Sequence, residues 1–311
     1  MLVSVLFVVV GIGLLYLGGE LLVDHSIRMA RLFGLSPIVI GLTVVAFATS
    51  APELAAALAA TLRGAPDLAL GNALGSNLAN IGLILGASAL AFALPTTVRF
   101  LRREMTFMLL ATVAMYPILA TGGQIGRAEG ALLVALLVGF LVWLLRDPAS
   151  QHEWQSEVGE EAIGPLWKAL IGVSAGVALL VGGANLLVTG ASDLAREIGV
   201  PERVIGLTVV ALGTSLPELA ASLVAGRRQQ ADLVLGNIVG SNIFNLLCIL
   251  GLTSLVQPIA VAPEIVRIDF WAMLGISVLL FALLATRKRL SRGEGAVLLA
   301  LYVGYSVWLF L

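Results

Sequence analysis

The chain has 311 residues, of which 59% are hydrophobic and 12% charged, with a formal net charge of −1. A soluble domain carries about 25% charged residues, so this composition, with a mean hydropathy of +1.03, belongs to a chain dissolved mostly in lipid. It excludes a secreted disulfide scaffold, a disordered regulator and a nucleic-acid binder, which would need a basic field.

Apolar runs separated by short polar breaks predict ten transmembrane helices, at about 2–23, 36–62, 68–93, 104–121, 127–145, 166–188, 201–225, 232–255, 270–286 and 294–311. The fold class is therefore all-α integral membrane. The opening run MLVSVLFVVVGIGLLYLGG is as apolar as a leader peptide. It lacks a basic start and is followed by Glu20 and Asp24, so it reads as the first helix. The longest connection, 146–165, carries Asp147, Glu153, Glu157, Glu160 and Glu161 and reads as a solvated cytoplasmic linker between two halves, 1–145 and 166–311. Cys248 sits alone in an apolar run and reads as an inert buried thiol. His25 and His152 fall in or near loops.

Basic residues set the orientation. With the amino terminus outside, the inner loops hold 13 of the 18 Lys and Arg residues and the outer loops hold 5. Both termini are accordingly expected on the extracytoplasmic side of a plasma membrane.

The chain repeats itself at an offset of 165 residues. GLTVVAFATSAPELAAALAATL (41–62) matches GLTVVALGTSLPELAASLVAGR (206–227) at 15 of 22 positions, and GNALGSNLANIGLILG (71–86) matches GNIVGSNIFNLLCILG (236–251) at 9 of 16. Five helices is an odd number, so the second half must enter the membrane from the opposite side. Transporters built of such inverted repeats place their substrate near the midplane.

The repeated residues are those hydrocarbon should exclude. Glu53 and Glu218 fall near the middle of the second and seventh helices, where a carboxylate costs several kcal/mol unless compensated. No Lys or Arg falls deep inside an expected span, since Arg127, Lys168 and Arg203 sit within the first three residues of theirs, which leaves a bound cation, a proton or a water-filled cavity. Thr49 and Ser50, and likewise Thr214 and Ser215, share a helix face with their Glu. Pro52 and Pro217 lack the N–H that would bond a carbonyl one turn back, which turns each helix break into cation-facing acceptors. On the third and eighth helices Ser76 and Asn80, and Ser241 and Asn245, lie four apart on one face. Asn77 and Asn242 point elsewhere and read as packing hydrogen bonds. Gly71 with Gly75, and Gly236 with Gly240, are small-residue pairs suited to close helix approach. Hard oxygens without His, Cys or Met favour Ca²⁺, Na⁺ or H⁺ over softer metals.

With these motifs, GLTVVAFATSAPEL with GNALGSNLAN and GLTVVALGTSLPEL with GNIVGSNIFN, the chain resembles the cation/Ca²⁺ exchanger superfamily, specifically the compact prokaryotic sodium/calcium exchangers. The resemblance covers the whole chain. It implies two inverted five-helix repeats with the second, third, seventh and eighth helices as core. It also implies that the first and sixth helices slide across that core, with Gly11, Gly13, Gly18, Gly19, Gly172, Gly176, Gly182 and Gly183 suited to the sliding surface. Carried over position by position, it makes Glu53, Glu218, Thr49 and Thr214 the Ca²⁺ ligands. Ser50, Ser76, Ser215 and Ser241, with the carbonyls of Ala46 and Ala211, build flanking Na⁺ sites, and Asn80 falls on the family's central Asn. One position departs, because relatives with well-established Na⁺ exchange typically have Asp where this chain has Asn245.

The expected function is Ca²⁺/Na⁺ antiport by alternating access, with H⁺/Ca²⁺ antiport as the runner-up and a cation channel as a different class. The set includes no cofactor, and no nucleotide-binding motif suggests ATP as a partner. An intramembrane enzyme would need a nucleophile or a metal-binding His beside the two Glu residues, and the sequence offers neither.

Overall fold

The computed structural model describes residues 1–147, 165–200, 205, 209 and 211–309. In chain order the main elements are α1 (Leu2–Phe33), α2 (Pro37–Thr49), α3 (Ala51–Leu62), α4 (Asp67–Ala91), β1 (Leu94–Pro95), α5 (Val98–Ala120), β2 (Gln124–Ile125), α6 (Arg127–Leu145), α7 (Leu166–Glu197), α8 (Ala211–Gly213), α9 (Leu216–Arg227), α10 (Ala231–Val256), β3 (Ile259–Ala260), α11 (Ile265–Arg287), β4 (Arg289–Leu290) and α12 (Arg292–Leu309). Among the described residues seven helices are long and apolar enough to cross a membrane, or eight when α2 and α3, bent 41° apart, count as one span. Two expected spans lie outside that number. The seventh, 201–225, is described only in part, and the tenth, α12, opens on the polar Arg292-Gly293-Glu294-Gly295.

Two helices are longer than their apolar runs. α1 continues past the expected end at 23 to Phe33, and α7 continues past 188 to Glu197. Nothing breaks α1 until Gly34, whose φ of 63° caps it, with Pro37 beyond. At 1.5 Å per residue each 32-residue helix is about 48 Å long, more than the ~30 Å hydrocarbon layer. His25 therefore lies within α1 rather than in a loop, with Nδ1 2.9 Å from the Leu21 carbonyl.

The short strands depart from a purely helical expectation, and their pairing is informative. Leu94 pairs with Leu290 and Ile125 with Ile259. Adding 165 to 94 and subtracting 165 from 290 converts the first pair into the second. β1 and β4 staple the face on which α1 ends (the Phe33 face), and β2 and β3 staple the opposite one (the Leu62 face). The same exchange relates the glycine crossings. A Cβ on Gly86 would lie 3.0 Å from the Gly295 carbonyl, and one on Gly251 3.2 Å from the Gly130 carbonyl.

α10 is wholly buried and α4 78% buried across their apolar windows, whereas α1, α5, α6, α7 and α11 bury 28–39%. Core and rim are thus distinct. α1 and α7 pack antiparallel on each other through backbone-to-backbone glycine contacts. An added Cβ would meet the Gly183 carbonyl 2.8 Å from Gly11, and the Gly176 carbonyl 2.8 Å from Gly18. The sliding-surface expectation is corrected here. Gly11, Gly18, Gly172, Gly176 and Gly183 join α1 to α7 rather than facing the core, Gly172 at His25, while Gly19 alone faces α9 at Val224, and Gly13 and Gly182 have open space. On the Phe33 face Arg99 reaches Asp147 at 2.5 Å, Arg103 also contacts Asp147, and the Arg103 guanidinium lies 4.2 Å over the Trp143 ring. The remainder of the expected linker, including His152 and the acidic Glu153, Glu157, Glu160 and Glu161, lies outside the described residues.

Candidate functional site

The core helices break at twin positions. Ser50, with φ −82° and ψ 0°, separates α2 from α3, and Ser215, with φ −90° and ψ 2°, precedes α9. Proline follows two residues later in each case, so Glu53 and Glu218 both occupy the first turn of a new helix. A helix amino terminus offers a carboxylate partial positive charge worth about 0.3–1 kcal/mol. That is small beside the several kcal/mol a buried carboxylate costs. Both carboxylates are 1% exposed and lie within electrostatic reach of one another.

The breaks bring the halves together. Ser50 Oγ donates to Glu218 Oε1 at 3.4 Å, and Thr49 Oγ1 lies 3.1 Å from Asn237 Oδ1, 3.1 Å from the Val45 carbonyl and 3.4 Å from that of Ala46. The Ala46 carbonyl also accepts the Ser50 amide at 2.9 Å. Ala211 begins α8, and its side chain lies outside the described residues.

Below the breaks lies a four-asparagine network that the 165-residue offset maps onto itself. Asn80 Nδ2 donates to Asn242 Oδ1 at 3.0 Å, and Asn245 Nδ2 donates to Asn77 Oδ1 at 3.0 Å. Asn77 Nδ2 rests 3.7 Å from Met273 Sδ, and Asn242 Nδ2 3.8 Å from Met108 Sδ. Asn80 and Asn245 each open a π-helical turn, Asn80–Leu85 and Asn245–Ile249. A π-turn wedges one extra residue into the helix and is common at functional sites.

With their amides committed to Asn77 and Asn242, Asn80 and Asn245 retain unpartnered oxygens. Buried side-chain oxygens without a hydrogen-bond partner include Glu53 Oε2, Glu218 Oε2, Asn80 Oδ1, Asn245 Oδ1, Ser241 Oγ and Thr214 Oγ1. More than about 90% of buried polar groups are paired, so six such oxygens among twelve expected site residues form an unusual set. Ser50, Ser76 and Ser215 are buried on the same elements. The donor set is hard oxygen, which fits Ca²⁺ or Na⁺ as cargo. Among the described residues no group of three or more His, Cys, Asp and Glu side chains gathers as a metal centre.

Among the described residues the small-residue expectation is met by the pair Gly236 and Gly240. Added Cβ atoms on Gly236 and Gly240 would lie 2.6 Å from the Ile38 carbonyl and 2.8 Å from Leu42 Cα, so α10 is pressed against α2. The stretch that the 165-residue offset sets against Gly71 and Gly75, 203–210, lies outside the described residues except for 205 and 209. Two residues were not singled out by the sequence reading. Asn237 accepts from Thr49 and donates to Ser222 Oγ at 3.2 Å. Its signal was the repeated Gly-Asn of the motif, which places Asn72 as its twin.

A bundle of long apolar helices around two buried carboxylates defines a helical membrane protein. The family described as sodium/calcium exchanger protein matches residues 3–146 and again 168–311, and the chain belongs to that family, a family of membrane exchangers. It is 39% identical to the putative antiporter CaxA of Alkalimonas amylolytica, over 100% of this chain and 99% of the relative. It is 32% identical to the sodium/calcium exchanger MaX1 of Methanosarcina acetivorans, over 99% of each. A solved sodium/calcium exchanger from Methanococcus jannaschii superposes with a TM-score of 0.84 at 32% identity, over 98% of each chain.

Proposed function

We propose that the chain is a Ca²⁺/Na⁺ antiporter of ten transmembrane helices in two inverted five-helix repeats, 1–145 and 166–311, joined by the cytoplasmic linker 146–165. Its alternating site is built on Glu53 and Glu218. The observation that carries this is the set of buried, unpartnered oxygens contributed by both halves around those two carboxylates. Thr49, Thr214 and the carboxylates take Ca²⁺. Ser50, Ser215, Ser76 and Ser241, with the Ala46 and Ala211 carbonyls, take Na⁺, and Asn80 and Asn245 orient their oxygens toward the centre. Both ions need the same −2 charge and cannot hold it together, which couples their movements. A site that binds either ion but crosses empty at a high electrostatic cost exchanges rather than leaks.

The Phe33 face, with its excess of Lys and Arg, is the cytoplasmic one, and both termini lie outside the cell. The Na⁺ gradient and membrane potential supply the drive, at about 2.3 kcal/mol per charge per 100 mV. Counter-flow of radioactive Ca²⁺ in proteoliposomes, with Na⁺, K⁺ or H⁺ as the sole opposing ion, tests this reading. Na⁺-dependent, saturable counter-flow is expected. Movement driven by H⁺ alone would make it an H⁺/Ca²⁺ antiporter, and flux without any counter-ion would make it a channel.

A further inference from the structure

We infer that Met108, which lies outside both repeated motifs, is a positioning residue. Its sulfur fixes which end of the Asn242 amide faces Asn80, and so which end of the Asn80 amide faces the ion. The inference rests on the reading above that Asn80 offers its oxygen to the cation.

Met108 on α5 and Met273 on α11 stand 165 residues apart, twin positions at which both halves carry methionine. They are 1% and 0% exposed. Each sulfur lies behind one asparagine of the network, Met108 Sδ 3.8 Å from Asn242 Nδ2 and Met273 Sδ 3.7 Å from Asn77 Nδ2. Packing alone needs no sulfur there, since leucine fills a similar volume. A thioether has no hydrogen to donate and accepts weakly. The end of an amide that turns toward it is therefore the NH₂ end.

That selection passes along a chain. With its nitrogen against Met108, Asn242 presents Oδ1 to Asn80, and Asn80 answers with Nδ2 at 3.0 Å. The Asn80 oxygen is left for the site. Reversing the Asn242 amide would reverse Asn80 as well and place an NH₂ where a hard cation takes an oxygen.

The two methionines are not equivalent. The Asn77 amide nitrogen also donates to the Asn242 backbone carbonyl at 3.2 Å, so a stronger acceptor than sulfur already fixes it. Among the described residues the acceptor for the Asn242 amide nitrogen is the Met108 sulfur. Met108 thus carries the orientation of the Asn242–Asn80 pair, whereas Met273 only supports that of the Asn77–Asn245 pair.

Met108→Leu and Met273→Leu each remove one sulfur at matched burial. Half-saturation of Ca²⁺ uptake into proteoliposomes should rise about threefold in Met108→Leu, the factor for a hydrogen bond at the weak end of the usual range, with the maximal rate unchanged. Met273→Leu should keep the parent value. In an Asn80→Ala background Met108→Leu should raise it no further, because no amide is left to orient, whereas a general loss of packing would persist there. Equal rises in the two leucine variants, or a rise that persists without Asn80, would overturn the inference.

A second readout needs no ion. In detergent without Ca²⁺ or Na⁺, Met108→Leu strands one end of the Asn242 amide and should lower the Tm more than Met273→Leu does. Equal Tm values would overturn the inference. Absence of Na⁺-driven Ca²⁺ flux in the unmodified chain would overturn the exchange reading instead, with the Tm comparison still deciding the role of Met108.

Discussion

Asn245 donates an amide hydrogen to Asn77 Oδ1 over 3.0 Å, and this bond joins the two halves of the chain. Its twin runs from Asn80 to Asn242 at the same distance. Each bond spends the nitrogen of a residue that faces the site and leaves its oxygen free. Asn77 and Asn242 thereby set the polarity of the site from outside it. The Asn77 amide in turn donates to the Asn242 backbone carbonyl at 3.2 Å, and the amides of Asn77 and Asn242 also lie 3.7 and 3.8 Å from the Met273 and Met108 sulfurs, weak acceptors.

Asn77→Ala removes the acceptor for Asn245 and strands a buried donor, a loss of about 1–3 kcal/mol. Thermal unfolding in detergent should show the destabilisation, and yield should fall more than the Ca²⁺ affinity of the protein that does fold. Normal yield with a selective loss of Ca²⁺ binding would mean that Asn77 touches the ion itself.

Glu53→Gln and Glu218→Gln keep the side-chain volume and remove a buried charge. Each should nearly abolish Ca²⁺ uptake while the protein remains folded, and it should be at least as stable without ions as the parent. Ligand linkage gives a second measure. At a free Ca²⁺ concentration 100 times its Kd, binding adds about 2.7 kcal/mol of stability, so Ca²⁺ should raise the Tm of the parent and not of either variant. Unimpaired uptake in either would place the site elsewhere.

Much of the candidate site was legible because hydrocarbon punishes polar residues. A repeated Glu beside Thr, Ser and Pro has few non-functional explanations at such depth, and the 165-residue offset points to the same residues twice. Which helix each glycine faces was not legible. Gly11 and Gly13 look alike in sequence, yet one meets α7 backbone and the other meets nothing. The π-turns at Asn80 and Asn245 leave no mark either, since an extra residue in a helix changes register without changing composition. Ser222 was hidden for a different reason. Serine is ordinary in such helices, and only its contact with Asn237 sets it apart from Ala57, its counterpart at the 165-residue offset.

The α1–α7 glycines allow a contrast of two alanines on one helix. Gly18→Ala would put a Cβ 2.8 Å from the Gly176 carbonyl and from the Leu180 amide nitrogen, both backbone, so the helices must part. Overpacking of this kind costs about 1–3 kcal/mol. Gly13→Ala meets nothing within 4 Å, and it should be neutral or stabilise by up to about 1 kcal/mol through helix propensity. Unfolding midpoints of the two variants check the contrast. Equal values would mean that α1 and α7 do not hold this packing in the membrane.

The stoichiometry turns on Asn245. Glu53 and Glu218 supply −2, which balances one Ca²⁺ or two Na⁺, and a third Na⁺ would leave the occluded site at +1. A neutral amide whose nitrogen is already bonded to Asn77 can neither accept nor release a proton to adjust that balance. Charge balance therefore favours electroneutral exchange of two Na⁺ for one Ca²⁺. The reversal condition of exchange in voltage-clamped proteoliposomes checks this, because an electroneutral cycle is indifferent to voltage. A three-for-one cycle would instead gain about 2.3 kcal/mol per 100 mV from its one net charge. Asn245→Asp adds a titratable group in the same volume, so it should tighten Ca²⁺ binding at high pH and make transport more pH-dependent. A voltage-dependent cycle in the unmodified protein would sink the charge count. It would also show that the Asn245 amide serves in place of a protonated acid, with the third Na⁺ carried as net charge.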